Sequence, residues 1–431
     1  MLKLIKDKLN SGMGKDVVWT FSLQITIMLC SFAITKLLAS RLSIDDFGQY
    51  NVIKRSVQVL SFVMLAGVGI ALPRYIPIYR NSTPPRRIAP LLGAALIYII
   101  GVSLVVFLAC MVFSSQMQDV IIGQRGNMAL LLIALAYAFA LAMAQYTYAY
   151  YRGIGDFKWY NGAQLGVQLA IVLPLIFLPV LTVKGVFVSW LILTSLLVAF
   201  FIGRELWLFS QRDGAFVSDT PLRSHLNTIV KYSSGRLLAD FFLFSLSAFP
   251  LIYISNAQGL QPTAYYSVGI TFVTMVTPLF SFMGIILLPY VSECIAKGEI
   301  KAANRLVSRL TLLYLAASVL ITLFLYIFTG FLTRLLFAGS YVITTDLTRI
   351  MILAILPQAI YLLFRNPIDA VSVVPYNTII LGVCLVVMVV SFALSTTLTQ
   401  FAWAYLGVSA LQGLLSWLTW QAVKHKNRSQ S

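Results

Sequence analysis

Apolar residues run along this chain in long uninterrupted blocks rather than in the single stripe of a surface helix. The first six blocks lie near 17–38, 49–72, 90–113, 127–150, 162–183 and 186–207. A polar stretch from Ser210 to Val230 follows, and six more lie near 231–255, 264–288, 306–332, 344–366, 375–396 and 400–422. A helix needs about 20 residues to cross about 30 Å of hydrocarbon, so the pattern predicts an all-α polytopic membrane protein with 12 transmembrane helices. Sliding the chain on itself by 216 residues pairs Tyr50 with Tyr266, Leu72-Pro73 with Leu288-Pro289 and Gly123 with Gly339. It also pairs Tyr160-Asn161 with Tyr376-Asn377, and Leu165-Gly166-Val167 with Leu381-Gly382-Val383. These matches fall at corresponding points of corresponding blocks, which predicts two parallel-repeat six-helix bundles, 17–209 and 231–422. A leader at 1–16, a linker at 210–230 and a tail at 423–431 complete the expected organisation. Parallel repeats place a substrate path at their interface, which points to a carrier.

Composition strengthens this reading. Hydrophobic residues make up 59% of the 431 positions and charged residues 10%, against about 45–50% and 25% in a soluble domain. The net charge of +17 does not point to nucleic acid, because a polyanion-binding surface gathers its cations on one folded face. Here Lys and Arg fall mostly in alternate short loops and at both ends, which sets both termini on the cytoplasmic side. Lys3, Lys6, Lys8 and Lys15 precede the first block, which has no cleavage site and is expected to be a retained span. The leader is either a helix lying on anionic headgroups or a disordered basic segment. Cys30, Cys110, Cys294 and Cys384 form neither a disulfide framework nor a metal spacing, and no cofactor is expected. No phosphate-binding glycine loop occurs, which argues against direct use of ATP. His225 and His425, the two histidines, both fall in cytoplasmic segments, and the outer connections are short, so an enzyme is not expected.

Polar residues within the spans are the candidates for function, because each costs about 2.5–3.5 kcal/mol at bilayer depth unless it finds a partner or a wet cavity. In the second span Lys54 and Gln58 share a helix face, with Arg55 beside them. They are either a cationic patch toward a central cavity, fit to meet a phosphate or carboxylate, or headgroup anchors. Arg236 with Asp240, and Arg365 with Asp369, are spaced to neutralise each other along a helix. Asp240 is deep enough for a proton, cation or gating role. Gln24, Gln164, Gln168, Gln358 and Gln412 either line a sugar path or bridge packed helices. Tyr137, Tyr146, Tyr148, Tyr150 and Tyr151 suit sugar stacking, although an interfacial aromatic belt accounts for Tyr148 to Tyr151.

The run Leu42-Ser43-Ile44-Asp45-Asp46-Phe47-Gly48-Gln49-Tyr50, with Pro73-Arg74-Tyr75-Ile76 closing the span, resembles the first hairpin of the polysaccharide flippases. These form one branch of the multidrug/oligosaccharidyl-lipid/polysaccharide exporter superfamily. Tyr151-Arg152-Gly153-Ile154-Gly155-Asp156-Phe157-Lys158 resembles that branch's loop after span four. The resemblance implies a Wzx-type O-antigen flippase of a bacterial inner membrane, turning undecaprenyl-pyrophosphate-linked oligosaccharide repeat units toward the periplasm. It places Lys54, Arg55 and Gln58, with Gln24 and Arg236, along the substrate path. Related flippases use an aspartate on span seven and an asparagine and aspartate on span eleven for sodium. Asp240 and Asn377 correspond, while Leu381 stands where the second carboxylate is wanted. Implied partners are the lipid-linked oligosaccharide, membrane lipids, a proton or sodium counter-ion and a polysaccharide polymerase complex. The alternatives are a small-molecule efflux carrier of the same superfamily and a membrane polymerase or glycosyltransferase.

Overall fold

A computed structural model describes residues 12–82, 87–211, 221–296, 300–337, 339–372 and 374–428. Most of the leader, the middle of the linker and the end of the tail lie outside the described residues. The first eight helices are α1 (Gly12–Arg41), α2 (Ile44–Leu65), α3 (Val68–Arg80), α4 (Ala89–Val112), α5 (Ser114–Ile122), α6 (Met128–Ile154), α7 (Phe157–Phe177) and α8 (Val183–Ser210). Then come α9 (Leu222–Gln258), α10 (Leu260–Ala296), α11 (Ile300–Leu336), a 3-10 turn over Gly339–Thr344, α12 (Thr345–Ile352), α13 (Ile355–Val371), α14 (Tyr376–Ala393) and α15 (Leu398–Arg428). Eleven stretches are long and apolar enough to cross a membrane, and the pair bent by 41° between Ile352 and Ile355 supplies a twelfth. Among the described residues the fold is all-helical, a polytopic membrane protein with eleven to twelve spans.

Local chemistry sets the helix ends. Ser43, Asn127, Asp156 and Thr182 each accept a hydrogen bond from a backbone N–H of the first turn that follows. Such caps satisfy donors that no preceding carbonyl can reach. Gly123 and Gly155 close α5 and α6 with φ of 72° and 79°, a left-handed bend that only glycine adopts without strain. The 216-residue repeat appears in these boundaries. It carries Ile44 onto Leu260, Met128 onto Thr344 and Val183 onto Thr399, each within one residue of where a helix starts.

The repeats differ in where their spans break. The second span of the first repeat divides into α2 and α3 at Ala66 and Gly67, both left-handed at φ 52° and 75°. Its counterpart α10 runs unbroken. Conversely, α6 is continuous while its counterpart bends between α12 and α13. At the first break a Cβ on Gly67 would lie 2.9 Å from Cβ and O of Ser233. The Gly69 carbonyl accepts from Arg152 Nη2 at 2.7 Å, so a freed backbone acceptor is satisfied. Beyond the break, Tyr75 meets Tyr232 edge-on at 5.5 Å, and Tyr79 hydrogen-bonds His225 at 3.0 Å. Before it, Phe62 stacks on Phe244 at 3.9 Å.

Contacts divide the chain into two compact units, Met1–Phe244 and Ser245–Ser431. The division falls inside α9, whose first part therefore packs with the first unit. In the second unit the core runs through Tyr266, Phe392 and Phe401, the last two stacked at 4.9 Å. There Gln358 Nε2 donates to the Tyr405 hydroxyl at 2.9 Å and to Ser409 Oγ at 3.2 Å, bridging α13 to α15.

Candidate functional site

The site is built on α2. Its register buries Tyr50, Asn51, Ile53 and Val57 in the first unit and leaves Lys54, Arg55 and Gln58 half-buried. Two cations thus stand side by side within a membrane span. Lys54 Nζ sits 5.6 Å from the centroid of the Tyr50 ring, close enough for the ring face to stabilise its charge. Tyr50 in turn packs against Phe187 and Trp190 at 6.0 and 5.9 Å, and Tyr137 closes the group at 5.9 Å from Trp190. Trp190 is fixed by its Nε1–H donating to the Ile171 carbonyl at 2.8 Å.

One end of α2 is covered by α5 and the loop after it. Ser56 Oγ donates to the Val120 carbonyl at 3.3 Å, and Gln49 Nε2 to Gln124 Oε1 at 3.4 Å. The loop holds its shape through Arg125, whose Nε and Nη2 reach the Asp119 carboxylate at 2.7–3.0 Å. Gln118 adds a bond from the Asn127 N–H to its Oε1 at 2.9 Å. The connection is a structured cap rather than a loose linker.

The second repeat offers an internal control. Ile270 and Thr271 occupy the places of Lys54 and Arg55, Ile270 buried and Thr271 bonding its own helix through Ser267 O at 2.7 Å. Tyr266, the counterpart of Tyr50, donates its hydroxyl to the Phe401 carbonyl at 3.3 Å. The Tyr50 hydroxyl, equally buried, has no partner among the described residues.

The remaining candidates are not gathered with the α2 residues by any contact described. Gln24 Nε2 donates to Gln164 Oε1 at 3.3 Å, tying α1 to α7. Asn377 Nδ2 donates to the Arg365 carbonyl at 2.9 Å and to Asp369 Oδ1 at 2.8 Å, bracing the start of α14 on α13. Asp240 is half-buried on α9 and engaged by neighbours. The Arg236 side chain lies outside the described residues.

The tyrosine reading needs correction. Tyr150 and Tyr151 are not an interfacial belt: both are buried, and their hydroxyls donate to Glu205 Oε2 and Oε1 at 2.8 and 2.9 Å. Arg204 pairs with the same carboxylate and stacks on Trp159 at 3.9 Å from the ring centroid. Glu205 was the missed residue. Its signal was present, as the only acidic side chain between Val183 and Ser210.

The family described as polysaccharide biosynthesis protein matches residues 13–295. No curated protein matches by sequence. Among solved structures, an inward-facing multidrug resistance MATE family transporter of the MOP superfamily is similar, with a TM-score of 0.76, 13% identity and coverage of 96% of this chain and 99% of that one. An outward-facing one gives 0.68 at 14% identity, covering 98% of each chain. The Vibrio cholerae MATE transporter VcmN gives 0.62 at 16% identity, covering 95% and 97%. These likenesses establish the fold and leave the cargo open.

Proposed function

The chain belongs to the polysaccharide biosynthesis protein family, and on that premise we propose that it is an alternating-access flippase for lipid-linked oligosaccharides. Its cargo in this reading is an undecaprenyl-pyrophosphate-linked repeat unit of O-antigen or a similar surface polysaccharide, turned from the cytoplasmic to the periplasmic leaflet of a bacterial inner membrane. One observation carries the reading: adjacent cations, Lys54 and Arg55, half-buried within a span at a place where the second repeat is neutral. A cationic pair suits a pyrophosphate, since charge-assisted hydrogen bonds replace the hydration an anion loses on entering the membrane. A carrier of cationic drugs would want carboxylates there instead.

In this mechanism the pyrophosphate is met by Lys54 and Arg55, while Gln58, Gln24 and Arg236 offer polar groups to the sugars. The polyprenyl tail stays in lipid. A membrane potential negative inside favours outward passage of an anion by about 2.3 kcal/mol per charge per 100 mV. Asp240 and Asn377 are the proposed ion-coupling or gating residues. Changing Asp240→Asn then removes the response of transport to a proton or sodium gradient, and a full response retained by that variant removes Asp240 from the mechanism.

The test is deletion of the gene with plasmid complementation. The flippase reading expects loss of surface polysaccharide, lipid-linked repeat units held on the cytoplasmic leaflet, and restoration by the wild-type gene. Normal polysaccharide in the deletion strain, together with raised drug sensitivity, favours the efflux carrier.

A further inference from the structure

A cation inside a membrane span ordinarily finds an opposite charge or a wet cavity, and Lys54 is held differently. It is half-buried on α2, yet among the described residues no carboxylate pairs with it. The charged group that acts on it is the neighbouring Arg55. What stands beside the ammonium is the ring of Tyr50, one helical turn earlier, with Nζ over the ring at 5.6 Å from the centroid. The negative face of an aromatic ring attracts a cation, most strongly where water is scarce.

The place of that ring is set from behind. Tyr50 is 2% exposed, and Phe187 and Trp190 of α8 pack on it at 6.0 and 5.9 Å. Trp190 is tied to α7 in turn, through its indole N–H on the Ile171 carbonyl. Packing from α8 thus decides where the ring stands, and the ring decides where the ammonium rests.

A ring also differs from a carboxylate in what it leaves free. A carboxylate would neutralise Lys54 and occupy its N–H donors, so an arriving anion would first have to displace it. A ring face stabilises the charge without neutralising it, which keeps the ammonium available to the oxygens of a phosphate. The second repeat shows what the tyrosine does where no cation follows. Tyr266 is buried as deeply, but Ile270 stands one turn on, and the Tyr266 hydroxyl donates to the Phe401 carbonyl at 3.3 Å. There the hydroxyl ties two helices together. The Tyr50 hydroxyl has no partner among the described residues, so in the first repeat the ring is the part in use.

Resting on the flippase reading, we propose that Tyr50 is a positioning residue that acts through Lys54, holding the ammonium beside Arg55 for the cargo's pyrophosphate without a competing counter-ion.

Calorimetric titration of the purified full-length protein with inorganic pyrophosphate tests this. Tyr50→Leu should weaken binding about threefold to thirtyfold, the worth of a partly desolvated cation–π contact. Tyr50→Phe keeps the ring and should stay within about twofold of wild type. Tyr266→Leu removes a comparable ring where no cation follows, and it too should stay within about twofold. In a Lys54→Ala background, where Arg55 still supplies a cation, Tyr50→Leu should weaken binding no further, a result that a purely structural tyrosine would not give. Tyr50→Met takes the place of Tyr50→Leu if that variant does not fold. A wild-type protein that binds no pyrophosphate fails the flippase reading and this proposal with it. Wild-type binding left unchanged by Tyr50→Leu, or an equal loss with and without Lys54, overturns the role of Tyr50 alone.

Discussion

Where α2 carries Lys54 and Arg55, α10 carries Ile270 and Thr271. One helical turn earlier the two repeats agree, with Tyr50 and Tyr266 both buried in aromatic surroundings. The same element is thus built twice, once with two cations and once with none. Each cation costs about 2.5–3.5 kcal/mol at bilayer depth, and α10 shows that the helix and its packing do not require them. Under the proposed function, an anionic cargo passing this place offsets that cost. The break at Ala66 and Gly67 is a second difference of the same kind, since α10 spans the corresponding stretch without one.

The comparison is broken or sharpened most strongly by exchanging the charges. Lys54→Ala with Arg55→Ala should lower surface polysaccharide by about tenfold or more at equal membrane expression, the loss expected when a buried anion finds no charged donor. Ile270→Ala with Thr271→Ala should leave it within about twofold. Equal losses in both pairs would mean that the two positions matter through packing alone.

A smaller effect is expected at the break. Gly67→Ala forces a left-handed Cβ at a cost of about 1–2 kcal/mol, and it sets that Cβ against Ser233. The melting temperature in detergent should fall, whereas Gly203→Ala, in open space within α8, should hold or raise it. A tolerated Gly67→Ala would show that α2 and α3 straighten without penalty.

The smallest difference separates the paired tyrosines. Tyr266→Phe removes the hydrogen bond to Phe401 and should cost about 0.5–1.5 kcal/mol. Tyr50→Phe removes a hydroxyl that has no partner among the described residues and should be neutral or stabilising. Thermal unfolding of the two single variants side by side reads this directly.

Spans were legible in the sequence because hydrocarbon thickness dictates block length, and even the internal repeat was visible in Tyr50 and Tyr266. The break in the second span was not legible, because Val63 to Leu72 is smoothly apolar and hydropathy ignores φ. Gly67, Gly69, Pro73 and Pro77 were the available hint. Tyr150 and Tyr151 were misread because position near a span end suggests an aromatic belt, while their partner Glu205 lies more than fifty residues away on α8. Lys54 and Arg55 stood out because charge in a span is conspicuous whatever the packing. The bonds of Gln24 to Gln164 and of Asn377 to Asp369 needed coordinates, since hydropathy does not say which amide meets which partner.

The most direct measurement is flipping itself. Proteoliposomes carrying the purified protein and a polyprenyl-pyrophosphate-linked oligosaccharide in one leaflet, with an outside membrane-impermeant glycosidase, report how much cargo changes sides over time. The account predicts that wild-type protein exposes the inner pool, that Lys54→Ala with Arg55→Ala protein leaves it protected, and that Ile270→Ala with Thr271→Ala protein behaves as wild type. Wild-type rates from the protein lacking both cations would contradict it.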